Sequence, residues 1–485
     1  MINTKLIFKI LGALLNIEAA FMVLCLILSL CCHESDMLPL AITVGVTLIT
    51  ALTFRLLGRG ASNVLSRRDA YLLVTVVWIA FAAFGSLPFL LGGYINNVSD
   101  AFFEAMSGLT TTGATTIDHV EGMPHGVLLW RSLTQWIGGL GIVFFTIAIL
   151  PSFVGGSVKI FAAEATGPVQ SKLQPRLTMS AKALWGVYIV LTAVCALCFF
   201  VFGMGAFDAV NYAMTITATG GFATHDASTG YFNNPAIDYT AILFMFLSGI
   251  SFAMLYAALF KGRIRHLFKN AEFRFYSLLI LVSTGVVVAF LLRYNDYSVA
   301  DAIRVSLFQV VSFITTTGMF NEDAAQWHHI TWVVLCLCMF FGGCAGSTAG
   351  GFKCARGVIS LKILRNEFLH RLHPKAILPV KVNDTSINSS GQITLIAFLM
   401  AYFVLCFIAY FIMILVGVDS TNSFTIALSC ASNVGPTLGL EIGPTMSWSI
   451  LPDFVKWILS VLMLMGRLEI FTVLVIFTSA FWKNN

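Results

Sequence analysis

Thr110-Thr111-Thr112-Gly113-Ala114-Thr115 is a run of small, hydroxyl-bearing residues set between a short polar-started segment and a long apolar one. Comparable runs recur at Thr217-Ala218-Thr219-Gly220-Gly221-Phe222, Thr315-Thr316-Thr317-Gly318-Met319 and Ser432-Asn433-Val434-Gly435-Pro436. With Gly113, Gly220, Gly318 and Gly435 as markers, the repeats lie about a hundred residues apart. That spacing exceeds the soluble solenoid repeats and suits two membrane crossings plus a re-entrant loop. The pattern predicts one pore built from four repeats.

Composition places those repeats in a bilayer. Of 485 residues 58% are hydrophobic and 11% charged, and the mean hydropathy of +0.88 is too high for a water-facing surface. Apolar stretches of spanning length at about 7–32, 38–54, 70–92, 127–150, 183–204, 239–260, 275–292, 330–352, 392–416 and 454–481 predict ten crossings. They are too long for barrel strands, so helices are expected. The expected fold is an all-α integral membrane protein with two N-terminal transmembrane helices (1–68) and pore repeats at 69–158, 159–268, 269–372 and 373–485.

Net charge is +5, and its placement is more telling than its total. Twenty-three of the 28 Lys and Arg residues fall in alternate connections, among them Arg55 to Arg68, Lys159 to Lys182, Lys261 to Arg274 and Lys353 to Lys381. By the positive-inside rule both termini are cytoplasmic and the four glycine segments face outward. Interleaving with apolar spans argues against nucleic acid as a partner; membrane lipid is the expected surroundings. Eleven cysteines show no metal or disulfide framework, and Cys195 and Cys198, though spaced as CxxC, lie in mid-span.

Each outward connection offers helix caps at Ser99 or Asp100, Asp208, Ser298 or Asp301, and Ser420 to Asn422. About ten residues then lead to the glycine, too few to span, which predicts a half-helix that enters and turns back. Its carbonyl end carries roughly half a negative charge. Four such ends favour a cation, and backbone oxygens freed by glycine can replace its hydration shell.

At these residues the chain resembles the Trk-type potassium uptake family, whose relatives include the Ktr transporters and the plant high-affinity potassium transporters. The resemblance runs through Phe102-Phe103-Glu104, Gly108 to Gly113, Thr219 to Phe222, Gly342 to Gly351, Asn433 to Pro436 and Met465-Gly466-Arg467-Leu468-Glu469. It implies four units of helix, pore helix, helix around a central pore, with two extra helices in front. It implies a potassium-binding filter formed by Thr111, Thr112, Gly113, Thr219, Gly220, Thr316, Thr317, Gly318, Asn433, Val434 and Gly435. K+ is then the transported ion, with some Rb+ permeation and an unranked Na+ permeability, and no cofactor or catalytic residue is expected. In plant relatives a serine at the first filter position accompanies sodium preference; Gly113 supports potassium. Ala218, where a hydroxyl residue is common, and Met319, after the third glycine, are small departures. The family further implies a homodimer in the bacterial inner membrane, docked on a cytosolic ring of nucleotide-binding subunits of the TrkA type.

Two features lie below the filter. The cluster Gly342, Gly343, Gly346, Ser347, Thr348, Gly350 and Gly351 should break the second long helix of repeat three, since glycine is costly in a helix. No other span carries such a cluster. It reads as a gate crossing the pore, with close helix packing through small residues as the alternative. Gly138-Gly139-Gly141 in repeat one reads as packing. Arg467, near the middle of the last span, should face the pore or a carboxylate, because a cation facing lipid costs several kcal/mol. Glu104 and Glu18 are its candidate partners in a purely structural reading, while the family places this arginine beside the permeation path as part of the gate; Glu104, in the first pore helix, reads otherwise as a brace of that helix or as a carboxylate concentrating cations at the entrance. Lys353 and Arg356 read as the cytoplasmic interface, with the pore mouth within reach as the alternative, and Asp118, Glu121, Asp226, Glu322, Asp323 and Glu441 as a mildly acidic outer surface. Two functions remain: a channel-like potassium conductor, or an ion-coupled secondary transporter (K+/H+ or K+/Na+ symport) rocking about a midplane site.

Overall fold

The computed structural model of the protein describes residues 2–62, 64–139, 141, 177–383, 385–440 and 442–483. The far half of the 127–150 span, the basic residues Lys159, Lys172 and Arg176, the 158/159 repeat boundary and Glu441 lie outside the described residues.

Six of the ten expected spans are single apolar helices of crossing length: Thr4–Cys32, Met37–Leu57, Arg67–Leu91, Lys182–Val201, Ala271–Tyr294 and Ser389–Leu415. The others differ. Pro235–Ser248 and Phe252–Phe260 form a pair bent by 105°, and Asp453–Arg467 with Ile470–Phe477 a pair bent by 118°. His329–Phe341 stops at the glycine cluster, and His125–Gly139 is described only to its glycines. Of the ten expected crossings, six are thus unbroken helices of spanning length among the described residues, and the other four stretches are broken or partly described. A break is not peculiar to repeat three, as the glycine cluster suggested. In repeat four it falls at Glu469, held at φ 59° without any glycine, and in repeat two at Gly249–Ser251.

The four half-helices are Val98–Leu109, Ala206–Thr217, Val299–Ile314 and Ser420–Ser432. Of the expected caps Ser298 holds, accepting from the Asp301 N–H. Elsewhere capping begins earlier: Asn97 accepts from Ser99, Asp419 accepts from Thr421 and Asn422, and Gly205 caps without a side chain. Asp100 and Asp208 sit instead in the first turn, where a carboxylate complements the helix dipole.

Packing is cyclic. Each half-helix packs on the helices before and after it in its own repeat, and each following helix packs on the half-helix of the next repeat. His125–Gly139 meets Ala206–Thr217, Pro235–Ser248 meets Val299–Ile314, His329–Phe341 meets Ser420–Ser432, and Asp453–Arg467 closes the circle on Val98–Leu109. The N-terminal pair stands outside, with Thr4–Cys32 against Arg67–Gly85 and His125–Gly139. Apolar residues such as Leu281, Phe407 and Leu415 remain exposed on the outer helices, as lipid contact requires.

The connection to repeat four holds a surprise. After the helix Cys354–Leu372 a two-stranded antiparallel hairpin pairs Lys381–Val382 with Thr385–Ser386. Lys362 Nζ and Asn366 Nδ2 tether this segment to the helix by donating to the carbonyls of Lys381 and Leu378 at 2.6 and 3.0 Å. Four strand residues between turns carry too little alternation to be read as a hairpin.

Candidate functional site

All four half-helices end alike. Thr111, Thr219, Thr316 and Asn433 adopt left-handed backbone angles, φ 53, 54, 55 and 56°. The N–H that follows reaches back five residues: Thr112 to Ser107 O (2.9 Å), Gly220 to Thr215 O (2.8 Å), Thr317 to Ser312 O (2.9 Å) and Val434 to Ser429 O (3.0 Å). This is the Schellman closure, which satisfies orphan carbonyls and normally places glycine at the left-handed position. Three of the four sites carry threonine, a β-branched residue for which that conformation is a genuine outlier. Each costs on the order of 1–3 kcal/mol, and such strain persists only where surrounding structure enforces it.

Two residues beyond each left-handed site stands a glycine with positive φ: Gly113 (84°), Gly221 (81°), Gly318 (75°) and Gly435 (99°). The second marker is therefore Gly221. Gly220 occupies the position of Thr112, Thr317 and Val434, by both φ and hydrogen bond. Two adjacent glycines made the register ambiguous in sequence, and the helix-end hydrogen bonds decide it.

The segments close a ring. A Cβ on Gly113 would overlap the carbonyl oxygen of Gly220, one on Gly221 that of Thr317, one on Gly318 that of Val434, and one on Gly435 that of Thr112. Each repeat thus presses its glycine against the carbonyl of the next, and the fourth meets the first. One open mouth is lined by Gly113, Gly221, Gly318 and Gly435, with Asp118 and Asp226 at its sides.

Braces hold this ring. Asn433 Nδ2 donates to Thr112 Oγ1 at 3.0 Å and to Met463 O at 2.9 Å. Gln135 donates through Nε2 to Gly220 O and accepts at Oε1 from Phe222 N–H. Glu104 neither lines the mouth nor meets Arg467. Buried, it pairs with Arg131 at 2.9 Å and accepts from Thr115 and from the Thr116 N–H. The Arg131 guanidinium also reaches Ala223 O at 3.1 Å and stacks over the Phe222 ring at 4.1 Å, joining repeats one and two. The expected acidic outer surface is largely tied up in such bonds. Asp118 accepts from Ser447 and Ser449, which hold its carboxyl below the usual range, and Asp226 accepts from Val120 N–H.

Below the ring, residues 342–353 leave the helical path, with positive φ at Gly342, Gly346, Gly351 and Lys353. The loop is stitched to three repeats. Thr348 Oγ1 donates to the carbonyls of Thr217 (3.1 Å) and Ser248 (3.3 Å) in repeat two. Gly350 N–H donates to Thr316 Oγ1 at 2.6 Å, and Gly351 N–H to Ser432 O at 2.8 Å. Gly343 packs against Gly249 O and Ala349, Gly346 O accepts from Phe252 N–H, and Ser347 Oγ bonds Cys344 O.

Arg467 meets neither Glu104, which pairs with Arg131, nor Glu18, the two partners of the structural expectation. It donates to Thr348 O (2.7 Å) and to the carbonyls of Gly138 (2.7 Å) and Gly139 (2.5 Å). The repeat-one glycines thus supply acceptors, and Gly138 also lies so close to Leu109 O that a Cβ would overlap it. Glu18 is buried with both oxygens lacking a hydrogen-bond partner among the described residues. Lys353 and Arg356 are not at an aqueous interface: both are buried, Lys353 Nζ bonding Ala349 O and Arg356 pairing with Glu469 and stacking on Phe398 at 4.0 Å.

Sequence reasoning missed Glu272. Its Oε1 accepts from Ala345 N–H (2.5 Å) inside the loop and from Ala355 N–H (3.0 Å) just past it. No motif marks it; a lone carboxylate opening a span is the only signal. Gln135, an amide inside an apolar run, carried a clearer one.

The sequence model of a family described as TrkH, cation transport protein, matches residues 42–484. The chain belongs to that family. The Trk system potassium uptake protein TrkH of Halomonas elongata is 37% identical over 99% of this chain and all of its own. A protein of the same name from Escherichia coli is 36% identical over 87% of each chain. The crystal structure of the potassium transporter TrkH from Vibrio parahaemolyticus superposes with a TM-score of 0.89 at 33% identity, covering 99% of both chains. The nearly all-helical fold with re-entrant elements, read from the apolar stretches, is that of this family.

Proposed function

We propose that the chain is the membrane subunit of a bacterial potassium uptake system, passing K+ through the ring at Gly113, Gly221, Gly318 and Gly435. It is a transport protein and not an enzyme. The observation that carries this reading is ring closure: four half-helix C-termini converge and the oxygens of Thr112, Gly220, Thr317 and Val434 stand one per repeat. Four converging carbonyl ends suit a dehydrated cation. Thr111, Thr219, Thr316 and Asn433 form the strained ledge beneath, and the four glycines permit the close approach that side chains would forbid.

The loop with Gly343, Gly346, Ser347, Thr348 and Gly350 acts as the gate, and Arg467 is its clasp. A guanidinium bound at once to the loop and to repeat one holds the path shut and adds a positive charge that opposes cation entry. Opening requires these bonds to break together. The subunit works as a homodimer in the inner membrane, both termini cytoplasmic, under a TrkA-type nucleotide-binding regulator.

Coupled symport is the second reading, favoured by the bent helices of repeats two and four. The cyclic order of four like-oriented units fits a fixed axial path better than rocking halves. Current steps in a planar bilayer, with the reversal potential set by K+, test the primary reading; strict ion stoichiometry without steps sinks it.

A further inference from the structure

Repeats one and three brace their own ring segments. Thr110 and Thr112 share a hydroxyl hydrogen bond of 2.8 Å, and Thr315 and Thr317 one of 2.7 Å. In repeat two the matching residues are Ala218 and Gly220, and both hydroxyls are gone. Yet Gly220 O occupies the same place against Gly113 that the other three oxygens occupy against their glycines.

What stands there instead is Gln135, fully buried on His125–Gly139 of repeat one. Its Nε2 donates to Gly220 O at 2.7 Å, and its Oε1 accepts from Phe222 N–H at 3.0 Å. One amide therefore grips both ends of the Gly221 residue. A Cβ on Gly220 would overlap the Gln135 amide carbon and oxygen, so the missing side chain and the inserted one are complementary. A planar amide bonded at both ends fixes the neighbouring peptide planes, and it draws on one lone pair of an oxygen whose counterparts at Thr112, Thr317 and Val434 have no such donor among the described residues.

We infer that Gln135 is a specificity-determining residue of the ring, holding the Gly220 carbonyl in place and weakening its field, so that the four-oxygen site favours the larger, more weakly hydrated alkali ion. This rests on the ring being the ion path. Carbonyl number and field strength set alkali-ion preference, and one oxygen with an amide donor attached competes less well for small, strongly hydrated Na+. Gln135 touches no ion in this scheme. It acts through Gly220, as a positioning residue.

The test uses the full chain in planar bilayers and reads the K+/Na+ permeability ratio from bi-ionic reversal potentials. Gln135→Met keeps size and removes both polar atoms; Gln135→Glu keeps an acceptor for Phe222 N–H and loses the permanent donor to Gly220 O. Should the methionine variant fail to reach the membrane, the glutamate variant supplies the measurement. A fall in the ratio of about threefold or more is expected for each, the scale of one lost hydrogen bond. The pair Gln135→Ala with Gly220→Ser, which returns a hydroxyl to the vacated space, should recover part of it. Gly113→Ser runs beside them as the control on the ring itself. A ratio unchanged in folded Gln135 variants while Gly113→Ser lowers it overturns the role of Gln135 and leaves the ring intact. A conductance loss equal for both ions also overturns it, since a merely structural brace behaves that way. If Gly113→Ser leaves the ratio unmoved as well, the ring reading falls, and this inference with it.

Discussion

The backbone N–H of Gly350 donates to the hydroxyl oxygen of Thr316 at 2.6 Å. The residue whose left-handed angle ends the third half-helix is thereby bonded to the loop below, with no intervening group. Ring and loop are in direct mechanical contact, and a loop that moves must release Thr316.

Thr316→Val keeps the β-branched shape and deletes the acceptor. A buried N–H left without a partner costs about 1–3 kcal/mol, and here the cost falls on the closed loop. Potassium flux in proteoliposomes should rise several-fold, while Thr316→Ser, which retains the oxygen, should stay near the parent value. A valine variant that folds and shows parental flux would argue that the bond is incidental.

Arg467→Ala removes three carbonyl contacts, to Thr348, Gly138 and Gly139. Conduction should increase, by about tenfold if charged hydrogen bonds of the usual strength hold the closed state. Arg467→Lys should lie between, because one ammonium lacks the fork that spans loop and repeat one. Single-channel open probability is the measurement, and an unaltered value in well-expressed Arg467→Ala would remove the clasp.

Glu272 holds both ends of the loop through a single oxygen. Glu272→Ala should free Ala345 and Ala355 together and speed thiol labelling at an introduced Ser347→Cys. Glu272→Gln keeps an acceptor oxygen and should label near the parental rate. Equal rates in all three backgrounds would show that the loop is positioned without this carboxylate.

Glycine is required at the ring for space as well as for angle. Gly113→Ser and Gly221→Ser place a side chain onto the oxygens of Gly220 and Thr317, respectively, and at a positive φ that serine tolerates poorly. Both should lower the K+/Na+ permeability ratio. The register found here predicts that Gly221 behaves as Gly113 does. Selectivity lost at Gly113 and preserved at Gly221 would return the second marker to Gly220.

Apolar runs, polar helix starts and recurrent glycine segments sufficed to place four re-entrant units in the chain, because those signals are local and set by helix period and membrane thickness. The glycine loop was visible for the same reason, although the break at Glu469 was not: no propensity marks a helix end enforced by a partner such as Arg356. Arg467 stood out as a cation in an apolar span, but the carbonyls of Thr348, Gly138 and Gly139 that it binds are backbone groups that no side-chain pattern reveals.

The amino-acid order by itself determined the membrane setting, the four-fold repetition and the four short segments that end the half-helices. Tertiary structure alone decided that Gly221 and not Gly220 matches Gly113, that Glu104 serves Arg131, and that Gln135 replaces two absent hydroxyls. Register follows from hydrogen bonds at each helix end, and pairing follows from which buried groups meet across 27 to 113 residues of chain. Burial makes every such polar group demand a partner, and only the folded packing says which one is within reach.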